Sequence, residues 1–181
     1  MKEKRMIKMV ICALAFFQLS NAINGQDDNK NKNLLSESKK AKSEFLKADS
    51  GMNKLFTSSY GYAIFPKIGK GGFIVGGSGG NGTVFKQGKE IGTARMDQVT
   101  VGAQVGGQTF REVIFFEDKN ALDKFEGNKV EFSGQLSAVA VKSGASKNAK
   151  YTEGVAVFTQ STGGLMAEAS IGGQKFTYKA L

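Results

Sequence analysis

The spacing of apolar residues changes character once along the chain, near residue 60. Before that point, apolar residues recur at helical spacing in "NLLSESKKAKSEFLKADSG", and lysines crowd the remaining surface. This pattern predicts an amphipathic helix that begins at Asn33 and stops at Gly51, followed by one further turn over Met52–Phe56. Two interpretations of its apolar stripe stay open, since such a stripe packs either on its own domain or on a membrane surface.

After residue 60, apolar and β-branched residues form short runs that are separated by glycines and polar turns. The segment "QGKE" at Gln87–Glu90 separates two such runs, which predicts a hairpin. The stretch "EDKNALDKFEGN" predicts a short helix that is capped by Glu117 or Asp118 and ended by Gly127. The predicted fold is therefore α+β: an N-terminal amphipathic helix packed on a glycine-rich antiparallel sheet or partial barrel of about seven or eight strands, with one short inserted helix.

A glycine motif lies inside the β region. "GSGGNG" at Gly77–Gly82 has the spacing G-x-G-x-x-G, which in dinucleotide-binding proteins joins a strand to a helix whose first N–H groups bind pyrophosphate. Here "TVFKQGK" follows Gly82 and predicts a strand rather than a helix, and Asp97 falls between predicted strands. We therefore predict no nucleotide site and interpret the glycines as a flexible hairpin tip, or as a place where strands press against a helix.

One short sequence motif occurs twice in the chain, and the repeat has two interpretations. "VGGQTF" at Val105–Phe110 recurs as "IGGQKF" at Ile171–Phe176. Gln108 and Gln174 would form a paired ligand site in a functional interpretation. Because glycine inside strands usually marks a bend, the sequence favours two similarly placed strands with both glutamines facing solvent.

The first 22 residues have the features of an export signal. A basic start, Lys2 to Lys8, precedes the apolar run "MVICALAFF", and "SNA" at Ser20–Ala22 is a small-residue cleavage site. The apolar run is shorter than the ~20 residues that span a bilayer. The predicted organisation is a signal peptide over residues 1–22, a flexible tether over 23–32 and one domain over 33–181. The predicted location is the periplasm or the outside of the cell, with peripheral attachment to a membrane.

The composition excludes several classes of enzyme. The chain has no histidine, and its single cysteine, Cys12, lies in the predicted signal peptide. Ser-His-Asp and Cys-His catalysis and zinc sites built from histidine or cysteine are therefore excluded. The adjacent pair Glu117–Asp118 is explained by helix capping. We predict a protein that is not an enzyme, with no catalytic residue, metal or cofactor.

The charge favours negatively charged partners. Twenty-five lysines and arginines exceed 16 aspartates and glutamates, and the formal net charge is +9. Besides the helix, "YGYAIFPKIGKGG" predicts a turn at Pro66 with two lysines beside aromatic residues. This turn suits a lipid interface, or it is a solvated turn over an aromatic core. The candidate lipid-binding residues are Lys39, Lys40, Lys42, Lys47, Lys67 and Lys70.

From Ser59 to Leu181 the chain resembles the SYLF domain, known from actin-patch and endocytic adaptor proteins and from exported bacterial proteins. The resemblance is carried by "YGYAIFPKIGKGGFIVGG", "GGQTFREVIFFEDKNALDKF", "GVAVFTQSTGGLM" and "EASIGGQKFTYKAL". It implies lipid binding through basic residues and an amphipathic helix, with Lys67 and Lys70 in the family's "FP…GKGG" stretch. The actin and phosphoinositide roles of some members are not carried over to this chain.

These observations predict an exported lipid-binding module that acts at a membrane surface through basic residues and an amphipathic helix. Its partner is expected to be an anionic phospholipid or membrane surface, and neither nucleic acid nor nucleotide. A protein-interaction or scaffold domain of the cell envelope is the main alternative. A small outer-membrane barrel is a weaker one, because "KQGKEIGTARMDQ" lacks the apolar outer band that such a barrel requires.

Overall fold

The computed structural model describes residues 27–72, 75–101, 108–128, 137–163 and 173–181. Its contacts divide the chain into two compact units, Met1–Asn33 and Leu34–Leu181. The predicted signal peptide lies outside the described residues. Within the described ranges, no helix combines the length and the apolar character that crossing a bilayer requires.

The first helix, α1, is described over residues 27–48, so it includes residues that precede the predicted start at Asn33. Residues 27–32 of the predicted tether are helical, whereas residues 23–26 are not described. The polar composition that suggested a tether is therefore also compatible with a helix over residues 27–32. A second helix, α2, covers Met52–Ser58, which confirms the further turn.

One seven-stranded sheet, which is not closed into a barrel, forms the centre of the described structure. The strands are β1 Gly61–Gly72, β2 Val75–Lys86, β3 Lys89–Val101, β4 Gln108–Phe116, β5 Val139–Ala140, β6 Val155–Gly163 and β7 Gln174–Ala180, and their spatial order is β5-β6-β4-β1-β2-β3-β7. The α+β class and the strand number are confirmed for the described residues. A short helix, α3, spans Lys119–Glu126 between β4 and β5.

The prediction of an entirely antiparallel sheet is wrong at one edge, where β5 and β6 pair in parallel. Parallel neighbours need a crossover of a dozen or more residues instead of a tight turn. The connection here contains a 3₁₀ helix at Ala145–Asn148. Because β5 has only two residues, its own sequence gave little indication of how it pairs.

Two local predictions are confirmed. Gln87 and Gly88 join β2 to β3 with φ values of 49° and 79°, the left-handed pair that is typical of a type I′ hairpin turn. The side chain of Asp118 accepts a hydrogen bond from Ala121 N at 2.8 Å and caps α3, which ends at Gly127.

Alternating residues of the central strands build two hydrophobic cores, one on each face of the sheet. On β1, Tyr62 and Ile64 face the core that includes α1 and α2, whereas Ala63 and Phe65 face the core that includes α3. Both neighbours of β1 contribute to each core, so the sheet is covered by helices on its two faces. We refer to the two cores as the α1 core and the α3 core.

The apolar stripe of α1 packs on the sheet. Phe45 is fully buried in the α1 core, and Ala41 is buried beside it. Ser38, the polar gap in the stripe, is also buried, and its hydroxyl donates to Thr83 Oγ1 at 3.0 Å. Of the two interpretations of the stripe, packing on its own domain is therefore the one that the structure adopts.

Asp49 ties the end of α1 to the 3₁₀ helix. Its carboxylate accepts hydrogen bonds from Gly51 N at 3.0 Å and from Ser146 N at 2.6 Å. The backbone hydrogen bond from Ser146 is the largest cause that holds the pKa of Asp49 below its usual value, against the opposing effect of burial. This carboxylate fixes the position at which the chain turns from α1 into α2.

Pro66 lies in a bulge of β1, not in a turn, so that prediction is wrong. Ile64 pairs with Thr83 and Gly69 pairs with Gly79, so β1 has one more residue than β2 between these pairs. The register of β1 with β4 shifts at the same place. A bulge tolerates a proline, which cannot donate to the ladder, even in a central strand.

The glycine motif is the part of β2 that faces this bulge. A Cβ on Gly82 would lie 2.7 Å from Ile64 O, and one on Gly80 would lie 2.6 Å from Lys67 O. The hairpin-tip interpretation is wrong, and β1 backbone, rather than a helix, comes close to these two glycines. Strand β2 continues past Gly82 to Lys86, so the helix that a nucleotide site requires does not follow the motif.

Candidate anion-binding groove

A groove of about 580 Å³ lies between α1, the bulge of β1 and the neighbouring strands β4 and β6. We call it the α1–β1 groove. Its lining residues are Glu37, Lys40, Ala41, Glu44, Pro66, Lys67, Thr109, Arg111 and Thr162. Three of them carry positive charge and two carry negative charge, so the lining has a net positive charge.

Helical spacing places one wall of the groove. Glu37, Lys40 and Glu44 are three or four residues apart on α1, and side chains at these spacings share one face of a helix. Buried Ala41 on the same face allows α1 to approach the sheet. The bulge places exposed Lys67 on the opposite wall.

Arg111 is the residue that the sequence analysis missed. Its side chain is only 19% exposed, and its Nη1 donates to Gln160 Oε1 at 3.3 Å. The same Nη1 lies 3.9 Å from Glu44 Oε2, whereas buried Nε has no hydrogen-bond partner among the described residues. Strand alternation could have identified it, because Arg111 has the same parity as Val113 and Phe115, whose side chains belong to the α1 core.

Glu44 connects the groove to the exposed surface of α1. Its Oε1 accepts a hydrogen bond from Lys47 at 2.9 Å, and this bond is the largest cause that lowers the pKa of Glu44. Lys47 is thus engaged with its own helix. On the strand side, Thr162 Oγ1 lies 2.7 Å from Thr109 Oγ1, so two neutral hydroxyls complete the lining.

The structure brings together only some of the six predicted lysines. Lys40 and Lys67 share the groove, whereas Lys39 is exposed on α1 without lining it. Lys42 donates to Tyr62 Oη at 3.2 Å and lies 4.6 Å from the centroid of the Phe56 ring, so it is bound within the domain. The side chain of Lys70 lies outside the described residues.

Gln108 and Gln174, the glutamines of the repeated motif, do not form a paired site at the surface. Gln174 is fully buried, so the prediction that it faces solvent is wrong. Its Nε2 donates to Glu112 Oε2 at 3.1 Å in the α3 core. The side chain of Gln108 lies outside the described residues. Gln174 is buried because the sheet curves around it. The repeated motif in the sequence carries no information on that curvature, so the prediction failed.

The α1–β1 groove suits a compact anion better than an apolar ligand. A guanidinium and two lysines can donate to phosphate or carboxylate oxygens, and arginine does so through a planar pair of donors. The described side chains of the groove therefore support the binding of an anion.

Two comparisons relate this chain to known proteins. Residues 97–180 match the family model Ysc84, described as "Las17-binding protein actin regulator". Over 124 residues, or 67% of the chain, the sequence is 33% identical to "Beta cell expansion factor A" of Aeromonas veronii. The matched region covers 47% of that protein, so the chain spans about half the length of its relative. Together with the β-rich fold, these similarities show that the chain belongs to the SYLF (Ysc84) domain family.

Proposed function

We propose that this protein is an exported SYLF-domain module that binds a membrane surface and receives an anionic lipid headgroup in the α1–β1 groove. Membership of the family supports a lipid-binding or scaffold-type domain. The observation that carries the proposal is the convergence of Lys40, Lys67 and Arg111 on one groove. The headgroup phosphate would accept hydrogen bonds from Arg111 and the two ammonium groups.

The mode of attachment follows from the burial of the α1 stripe. Phe45 and Ala41 pack on the sheet, so in the described structure the apolar stripe of α1 is not available to insert into the acyl region of a membrane. Attachment would therefore be peripheral and largely electrostatic. We expect it to weaken as salt screens the charges over a Debye length of about 8–10 Å.

Vesicle co-sedimentation tests the groove directly. The double variant Lys40→Gln/Lys67→Gln should reduce partitioning onto anionic vesicles by about fivefold for each lysine removed, because each cation near such a surface contributes on the order of 1 kcal/mol. Neutral vesicles should bind wild-type protein weakly at the same ionic strength.

A matched control separates the groove from net charge. Lys54→Gln/Lys147→Gln removes two exposed lysines that do not line the groove. This variant should retain most of the binding. An equal loss in both double variants would mean that charge alone governs attachment, and failure of the wild-type protein to bind either kind of vesicle would refute the proposal.

A protein partner is the second candidate, and the description of the matched family as a Las17-binding protein favours it. The same three cations would then bind an acidic segment of an envelope protein. A pull-down from envelope extract, made before and after lipid removal, distinguishes the two. Capture that survives lipid removal and is lost in Lys40→Gln/Lys67→Gln would support the protein partner.

Export is a separate part of the proposal. It is supported by the basic start and the short apolar run of residues 1–22. Intact-mass measurement of the protein recovered from the periplasm or the medium should give a chain that begins at residue 23. Retention of the full-length mass in the cytoplasm would contradict this part alone.

A further inference from the structure

Glu112 is a carboxyl group enclosed in the α3 core. It lies in β4 between Phe110 and Ile114, which belong to that core, and it is 0% exposed. Its Oε2 accepts one hydrogen bond, from Gln174 Nε2 at 3.1 Å. Within the described ranges, Glu112 Oε1 and Gln174 Oε1 have no hydrogen-bond partner. Two buried oxygens on adjacent side chains are thus left without donors.

The contact between these two side chains joins strands that do not pair. Strands β1, β2 and β3 lie between β4 and β7 in the sheet. The sheet must therefore curve strongly for Gln174 of β7 to reach Glu112 of β4. Phe176 of the same strand packs against the rings of Phe65 and Phe125, with centroid distances of 5.8 and 5.2 Å. The backbone ladder of β7 pairs it with β3 alone, so it is side chains that hold β7 against β4 and α3 across the α3 core.

The protonation state of Glu112 decides whether the two unpaired oxygens are compatible. An ionised carboxylate has only acceptors, as does the carbonyl of Gln174, so neither orphan oxygen can satisfy the other. A neutral carboxyl group carries one proton, which the unpaired Gln174 Oε1 can accept. Only the neutral form therefore matches the hydrogen-bonding capacity of this pair, and burying a charge there without a partner is costly.

The surroundings of Glu112 offer no compensating cation among the described residues. Its neighbours on the same face from β1, β3 and β6 are uncharged: Phe65, Ile68, Met96, Gln98, Val157 and Thr159. Among the described residues, the titratable and charged groups toward that face are Tyr60, Lys86 over the Tyr60 ring, Tyr178 of β7 and Glu126 of α3. None of these groups contributes to the pKa of Glu112, which burial raises to about 7 while the hydrogen bond from Gln174 opposes the rise.

We propose that Glu112 and Gln174 form a proton-dependent latch, in which neutral Glu112 holds β7 over the α3 core and loss of its proton loosens that strand. A raised carboxyl pKa stabilises the closed form fully below the pKa of the open form, near 4.5. The stabilisation declines as pH rises and is gone above about 7. Loosening of β7 would move Phe176 and uncover the rings of Phe65 and Phe125.

Amide hydrogen exchange of the intact protein tests the latch. After correction for intrinsic rates, protection of residues 174–180 should fall at least tenfold from pH 5 to pH 8, relative to β1, since linkage permits up to about tenfold per pH unit within the window. In Glu112→Gln, which keeps the shape but cannot ionise, β7 protection should not depend on pH. The matched control Glu117→Gln, at an exposed carboxylate, should behave as wild type.

The latch is contradicted if β7 protection in the wild type is independent of pH, or if Glu112→Gln keeps the wild-type dependence. Carboxyl ¹³C titration of wild-type Glu112 gives a reading that does not require a variant to fold. A midpoint near 7 is expected, and a midpoint near 4.5 would overturn the proposal. The outcome does not depend on membrane binding, so it is independent of the proposed function.

Discussion

Replacing Phe45 with alanine is expected to lower the free energy of unfolding by about 3–5 kcal/mol, the usual range for removing a buried phenylalanine side chain. The ring is 0% exposed and lies in the α1 core with Met52, Phe115 and Phe158. A cavity of that size cannot collapse easily beneath a helix that is fixed at Ser38 and Asp49. Urea unfolding followed by circular dichroism measures the loss.

Leu46→Ala is the matched control for Phe45→Ala. Leu46 is the next residue of α1 and is only partly buried against the same core, so a smaller loss is expected. The pair also tests the role of the helix. If Phe45→Ala left stability unchanged but abolished vesicle binding, the stripe of α1 would be a membrane anchor and not part of the core.

The second large effect is expected at Gly82. Alanine there would place a methyl group 2.7 Å from the backbone oxygen of Ile64 and 2.7 Å from the ring of Phe65. Backbone of a central strand cannot move aside cheaply, and overpacking of this kind costs about 1–3 kcal/mol. Thermal and urea unfolding of Gly82→Ala should both show the loss.

Gly77→Ala provides the comparison within the same motif. Among the described residues, a Cβ at Gly77 would meet only Gln98 O, at an ordinary 3.5 Å. This variant should be neutral or slightly more stable, because alanine restricts the unfolded chain more than glycine does. Equal effects at the two positions would show that the bulge of β1 does not press on β2. Gly82→Ala and Gly77→Ala together therefore test whether the glycines of the G-x-G-x-x-G motif are required by close packing against β1.

The candidate site was only partly accessible from the sequence. Clusters of lysine indicated a basic surface, and two of the predicted residues, Lys40 and Lys67, do share the groove. Arg111 was missed because it is the only cation of β4 and its neighbour Glu44 is distant in sequence. Lys42 was predicted to bind lipid because it belongs to the lysine-rich surface of α1. In the structure, Tyr62 and Phe56 bind its ammonium group inside the domain. The number of charged residues can be read from a sequence, but which of them meet in one groove depends on which strands are neighbours.

The sequence by itself determined the features that depend on a few consecutive residues. The change from helical to β spacing near residue 60, the Gln87–Gly88 turn and the Asp118 cap all follow from local backbone preferences. Only the tertiary structure decided the bulge at Pro66, the parallel pair β5–β6 and the burial of Gln174 beside Glu112. These features arise from register and sheet curvature, which are set by packing between residues far apart in the chain and leave no periodic pattern in it.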